Sequence, residues 1–220
     1  MAKKIFLSPS SQTGNVYSYG NTNEAVQCGR IAAACELALK RCGFRVKSKQ
    51  FDTLANRVAH SNSWGADLHV PIHTNAFNEK VTGTRIMCYD LKGEGYKASK
   101  AVFDALAPIT PGTSENVKTS TFYEIVHSNA PCVYVEAEFH DVPEMAKWII
   151  DNTEAIGEAI CKGICNYFGV EYIEAKAEHT EDAMYRVQVG AFRNPNYAED
   201  FLKKVQAAGF PDAYITKSKG

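Results

Sequence analysis

The feature that most constrains this chain is an alternation, sustained over residues 1–169, of short apolar runs with longer amphipathic stretches. The runs Lys4–Leu7, Phe44–Val46, Asp67–Ile72, Thr84–Tyr89 and Cys132–Glu136 have the length of strands. Between them, Glu24–Cys42, Thr53–Ser63 and Tyr96–Leu106 read as helices, and Pro143–Phe168 as one or two more. In the first helix Val26, Ile31, Cys35, Ala38 and Leu39 follow a period near 3.6, and Gly43 stands as its stop. Residues 8–23, rich in Ser, Gly, Asn and Thr, read as a loop. Strands separated by helices require crossover connections. The expected fold is therefore α/β, with a mostly parallel central sheet flanked by helices.

The rest of the chain changes character. Residues 171–183 are mainly acidic and aperiodic and read as a linker. Residues 184–220 read as a small C-terminal β-α-β unit: a strand at Tyr185–Val189, a helix at Asn196–Ala208 and a strand at Ala213–Thr216. This gives three expected segments: a domain at 1–170, the linker, and the small unit.

Composition excludes several functions. With 24 Lys and Arg against 25 Asp and Glu, the chain lacks the basic surplus of a nucleic-acid binder. No apolar run approaches membrane-spanning length. After Lys3-Lys4 only Ile5-Phe6-Leu7 is apolar, too little for a secretory segment. The expectation is a protein that stays in the cytoplasm until released. The seven cysteines include no Cys-x-x-Cys pair. Cys28, Cys35 and Cys42 recur every seven residues, on one helix face, and read as reduced core residues. No Gly-x-Ser-x-Gly elbow is present, which disfavours a serine hydrolase.

Three element ends carry candidate chemistry. The strand Asp67–Ile72 runs into His73-Thr74-Asn75-Ala76, and ligands collect beyond the carboxyl ends of parallel strands. His69 lies four residues earlier, about 13 Å away at the usual rise, so the two histidines cannot chelate one ion; His69 reads as packing. A second apolar strand delivers Glu136, with Glu138 on the same side and His140-Asp141 in the exit loop. A carboxylate closing an apolar strand needs a metal, a cation or a proton. The third end is Gly20-Asn21-Thr22-Asn23-Glu24. It reads equally as a capping box, with Asn21 as cap and Glu24 at the third helical position. One imidazole with neighbouring carboxylates suits a hydrolytic zinc ion.

On these residues the chain resembles the zinc-dependent N-acetylmuramoyl-L-alanine amidases of the amidase-3 family. The resemblance spans residues 4–169 and rests on KIFLSP, the Asn23-Glu24 pair, FDTLANRVAHSNSWGADLHVPIHTNA and APCVYVEAEF. It implies that Glu24 and His73 bind Zn2+, that Glu136 is the catalytic carboxylate, and that Arg57 and Asn75 contact substrate. The reaction implied is cleavage between the lactyl group of N-acetylmuramic acid and L-alanine of the peptidoglycan stem. One departure stands out: the family's first strand usually ends in Gly-His, a zinc ligand, whereas this one ends Ser8-Pro9-Ser10-Ser11-Gln12. His140 is the expected replacement, with Gln12 and His127 as alternatives, and Glu138 is expected either to tune Glu136 or to hold His140.

The tail, from Tyr185-Arg186-Val187-Gln188-Val189-Gly190-Ala191-Phe192 through Ile215, is similar to the first half of SPOR domains, which bind peptidoglycan. That implies bacterial cell wall as partner and a possible homodimer in which two half units pair. An endolysin or autolysin role follows, with a non-catalytic wall binder bearing a degenerate metal site as the alternative. A peptidase with a two-metal site is disfavoured, because no additional carboxylates are evident for it.

Overall fold

The computed structural model describes residues 2–175 and 187–217, which divide into two compact units, Met1–Ala175 and Lys176–Gly220. The first is built on a six-stranded sheet whose strands are β1 (Lys4–Pro9), β2 (Arg45–Ser48), β3 (Leu68–Asn75), β4 (Arg85–Cys88), β5 (Lys118–Thr119) and β6 (Tyr134–Phe139). Their spatial order is β2-β1-β3-β6-β4-β5. All neighbouring pairs are parallel except β4 with β6, which is antiparallel. The mostly parallel α/β architecture expected from the alternation is the one observed. The two-residue β5 and the helix α4 (Tyr123–His127) were too short to leave a periodic signal.

The strand period of two sorts side chains onto two faces. Ile5, Leu7, Leu68, Val70, Ile72, Val133, Val135 and Ala137 enter the main apolar cluster. That cluster is closed by α1 (Glu24–Arg41), α3 (Gly93–Leu106) and α6 (Thr153–Phe168), through Ile31, Cys35, Leu39, Val102, Leu106, Ile160 and Ile164. The alternate positions are far more polar: Ser8, His69, His73, Glu136 and Glu138 are all buried. Near these stand α4 and α2 (Leu54–Trp64). Two glycines permit the tight helix layer. A Cβ on Gly157 would lie 2.7 Å from Ala34 Cβ, and one on Gly163 would lie 2.4 Å from Val102 Cα.

Local chemistry sets the helix ends. The first helix starts two residues later than the capping-box expectation. Asn23, not Asn21, is its cap and accepts a hydrogen bond from the Val26 amide, while Glu24 is the first helical residue. Glu24 is thereby released from capping and turned inward. Thr53 caps α2, and Gly65 and Gly169 end α2 and α6 in left-handed conformations. The stretch 143–168 is two helices, α5 (Pro143–Asp151) and α6, broken at Asn152. Among the described residues no helix is long and apolar enough to cross a membrane.

In the second unit one helix is described, α7 (Pro195–Ala207), started by Asn194 and Pro195. The expected flanking strands are corrected: Val187–Val189 and Ala213–Thr216 form no β-ladder. Strand geometry is held by a partner's hydrogen bonds, and among the described residues neither segment pairs with another. Residues 176–186, which include most of the expected linker and the start of the first expected strand, lie outside the described residues.

Candidate active site

The site assembles where β3, β6 and the start of α1 meet. Parallel pairing of β3 with β6 puts His73 directly beside Glu136. The ladder then shifts register between His73 and Asn75, with one extra residue on β6. Glu24, at the head of α1, lies where the helix dipole favours negative charge. Its Oε1 is 2.8 Å from His73 Nδ1, and its Oε2 accepts from Asn15 Nδ2 at 2.6 Å. Gln12 completes the group: its Nε2 is 3.4 Å from the same His73 nitrogen. The His73 ring stacks on Tyr134 at 4.7 Å between centroids, and its Nε2 is buried without a partner.

Electrostatics separate the two glutamates. Burial pushes the Glu24 carboxyl upward, but the hydrogen bond and charge of His73, with bonds from Asn15 and Ser10, outweigh it and hold the group below its ordinary value. Glu136 has no such support. Burial and the nearby Glu24 charge push its carboxyl well above the usual range, with only Arg85 opposing. Its Oε2 is buried without a hydrogen-bond partner. An unsatisfied carboxyl oxygen inside a protein costs about 1–3 kcal/mol, so a retained one is a functional candidate.

The remaining expected residues scatter. His140 packs flat against Tyr17, with ring centroids 4.9 Å apart, and its Nδ1 lies 3.0 Å from Thr74 Oγ1. The ligand atoms of Glu24, His73 and His140 are not all within 4.8 Å of one another; among the described residues only Cys42, Cys161 and Cys165 form such a trio. The expected third ligand is therefore not gathered with the other two: the register shift carries His140 past Thr74. Glu138 does not orient His140 either. Its Oε1 accepts the Gly83 and Phe139 amides, and burial raises its carboxyl to about 7 against those two bonds. His127 ends α4 beside Tyr123, and its carbonyl accepts from Asn62. Asn75 is half-buried at the end of β3, its Oδ1 accepting the Ala76 amide.

Arg57, expected at the substrate, is instead enclosed, with 2% of its side chain exposed. It donates to the Pro9 carbonyl at 2.7 Å and faces Glu124 at 3.8 Å. Glu124 also lies 3.2 Å from His69 Nε2 and accepts from Ser8 Oγ. A guanidinium buried against a carboxylate is a structural cation with no surface to offer a ligand. Sequence reasoning missed Glu124, and also Tyr17, Thr74 and Asn15. Tyr17 is 4% exposed although it lies in the polar 8–23 loop, and an aromatic inside such a loop was the available signal.

The donors present fit a zinc ion, judged by their chemistry and by the orphaned His73 Nε2 and Glu136 Oε2. One imidazole nitrogen and one carboxylate meet, and an amide adjoins them, which half a turn would make an oxygen donor.

Comparison with known proteins bears on the family and the fold. The model of the N-acetylmuramoyl-L-alanine amidase family matches residues 10–166, and that of the SPOR domain matches residues 182–220. A sporulation-specific N-acetylmuramoyl-L-alanine amidase of Bacillus subtilis is 24% identical over 171 residues, covering 77% of this chain and 65% of the relative. The N-acetylmuramoyl-L-alanine amidase CwlM of Bacillus licheniformis is 26% identical over 171 residues, covering 76% and 64%. The chain thus spans less than two thirds of the length of these relatives. The catalytic domain of CwlV, an N-acetylmuramoyl-L-alanine amidase of Bacillus (Paenibacillus) polymyxa var. colistinus, shares the fold. It superposes with a TM-score of 0.69 at 18% identity, over 77% of this chain and 99% of that domain.

Proposed function

The chain belongs to the N-acetylmuramoyl-L-alanine amidase family, and from that premise we propose that it hydrolyses peptidoglycan at the amide joining the lactyl group of N-acetylmuramic acid to L-alanine. The observation that carries this reading is Glu136: a buried carboxylate with an unpartnered oxygen, in register with His73 and next to Glu24.

In this reading Glu24 and His73 hold zinc, with the Gln12 amide as a weak neighbour. Zinc supplies a Lewis acid for the amide carbonyl and brings the pKa of bound water to about 7. The chain's own residues do the rest. Glu136 Oε2 accepts a proton from the attacking water and returns it to the leaving amine of L-alanine. The same burial that disfavours the Glu136 anion makes its carboxylate, once ionised, a stronger base than an ordinary one. Tyr134, stacked on His73, fixes the imidazole plane and keeps bulk water from that side. Asn75, at the strand end, offers its amide to the substrate.

The domain at 1–170 is the hydrolase, and residues 184–220, beyond the linker, are a wall-binding unit. Two copies of that unit pair, which would cover apolar residues now exposed: Val187 at 88%, Tyr197 at 64% and Phe210 at 65%. The cellular role is that of an endolysin or autolysin acting on the cell wall after release. The weak third donor supports a second reading, a wall binder whose metal site no longer holds zinc.

The decisive experiment uses purified cell wall. Hydrolysis at the proposed bond releases new L-alanine amino termini without new reducing sugar ends, and a chelator stops it. Reducing ends, or no release from zinc-supplemented protein that still binds wall, would refute the hydrolase and leave the binder.

A further inference from the structure

Away from the strand ends, the fold gathers a second set of donors. Cys42 caps the C-terminus of α1, and Cys161 and Cys165 lie one turn apart on α6. The Cys161 sulfur is 3.9 Å from Cys42 Sγ and 3.9 Å from Cys165 Sγ, and all three sulfurs lie within 4.8 Å of one another. Cys161 and Cys165 are fully buried and Cys42 is 7% exposed. All seven cysteines are free thiols.

Core packing accounts for burial but not for this convergence. Cys28 and Cys35, on the same face of α1 as Cys42, are buried without joining the trio. Three features bring the sulfurs to a point. Gly157 lets α6 approach the α1 backbone. The i, i+4 spacing stacks Cys161 and Cys165. The segment after α6 folds back so that the Ile173 amide donates to Cys42 Sγ at 3.3 Å, while Arg41 Nε holds the Ile173 carbonyl at 2.7 Å. With zinc–sulfur bonds of about 2.3 Å, tetrahedral coordination sets sulfurs about 3.8 Å apart, which these contacts nearly reproduce.

We propose that Cys42, Cys161 and Cys165 form a trithiolate site for a thiophilic d10 cation such as Zn(II) or Cd(II). The three thiols bind as thiolates, each releasing its proton to solvent, and no electron transfer is involved. A bound ion ties the end of α1, the middle of α6 and the chain at Ile173 into one unit, which stabilises the fold by mass action. The site is chemically distinct from Glu24 and His73, being all sulfur.

The test uses the reduced, metal-free full chain, without a polyhistidine tag, titrated with Cd(II) alone. The expected result is a sulfur-to-cadmium charge-transfer band that saturates at one equivalent. The band is lost in Cys165→Ser and kept in His73→Ala. A wild-type titration without that band overturns the proposal without recourse to any variant. Loss of the band in His73→Ala overturns it as well, by moving the ion to the strand ends.

Discussion

Strand β3 carries two histidine–carboxylate pairs, four residues apart, and they teach by their difference. His69 meets Glu124 at 3.2 Å and His73 meets Glu24 at 2.8 Å, both in the interior. Around the first, Ser8 donates to the carboxylate and Arg57 supplies a full countercharge. Around the second there is no Lys or Arg among its bonded neighbours. A neutral amide stands beside it and a second acid is in register. Both networks hold unpartnered polar atoms, His69 Nδ1 and Arg57 Nε in the first and His73 Nε2 and Glu136 Oε2 in the second, so the contrast lies in the countercharge. A charge-balanced pair stabilises the fold, and in the proposed function the pair without a countercharge is the one assigned to a cation and a substrate. The residue type is the same, and the surrounding charge balance decides the role.

The largest expected effect that sharpens this contrast is at the open pair. Glu136→Gln should lower amide hydrolysis by about 10²–10⁴-fold, the usual share of a general acid–base, while the melting temperature stays level or rises. A variant that retains turnover of purified wall would dissolve the contrast. At the closed pair, Glu124→Gln strands Arg57 and should cost about 3–5 kcal/mol in denaturant unfolding, with turnover per folded molecule kept. If Arg57→Ala instead cut turnover at unchanged stability, Arg57 would belong to the substrate after all.

The next effect is in metal retention. Gln12→His should raise zinc retention against a competing chelator by roughly tenfold, because imidazole is a far better zinc donor than an amide. Unchanged retention would remove Gln12 from the ion's surroundings. The smallest effect is in pH. Burial raises the Glu124 carboxyl, but the bond to His69, the Arg57 charge and the Ser8 hydroxyl bring it below its ordinary 4.5. A depressed carboxyl contributes its full stability above the unfolded value and loses it as pH falls through the folded one. The stability gap between wild type and Glu124→Gln should therefore shrink on acidification below about 4.5. A gap that is constant to pH 3 would mean the pair is not ionised as described.

Much of the fold was legible because helices and long strands write their period into the chain. The boundaries of β1, α1, α2, β3 and α3 lie close to those read from periodicity. The antiparallel setting of β4 and the tiny β5 and α4 left no pattern to read. At the site, Glu24, His73 and Glu136 were visible as polar groups at the ends of apolar elements, and the structure brings them together. His140 and Arg57 were visible as well, but their positions in the chain said nothing about which face or network they join. Glu124, inside a five-residue helix, carried no signal at all.

By itself the sequence determined the α/β class, the family and the element ends at which chemistry sits, because these depend on local period and short motifs. Only tertiary structure decided which carboxylate each histidine meets, that Arg57 closes one pair and leaves the other open, and that three cysteines more than a hundred residues apart in part converge on one point. Those outcomes depend on strand register and helix packing between distant segments, and no local pattern in a chain encodes the angle at which two of its surfaces meet.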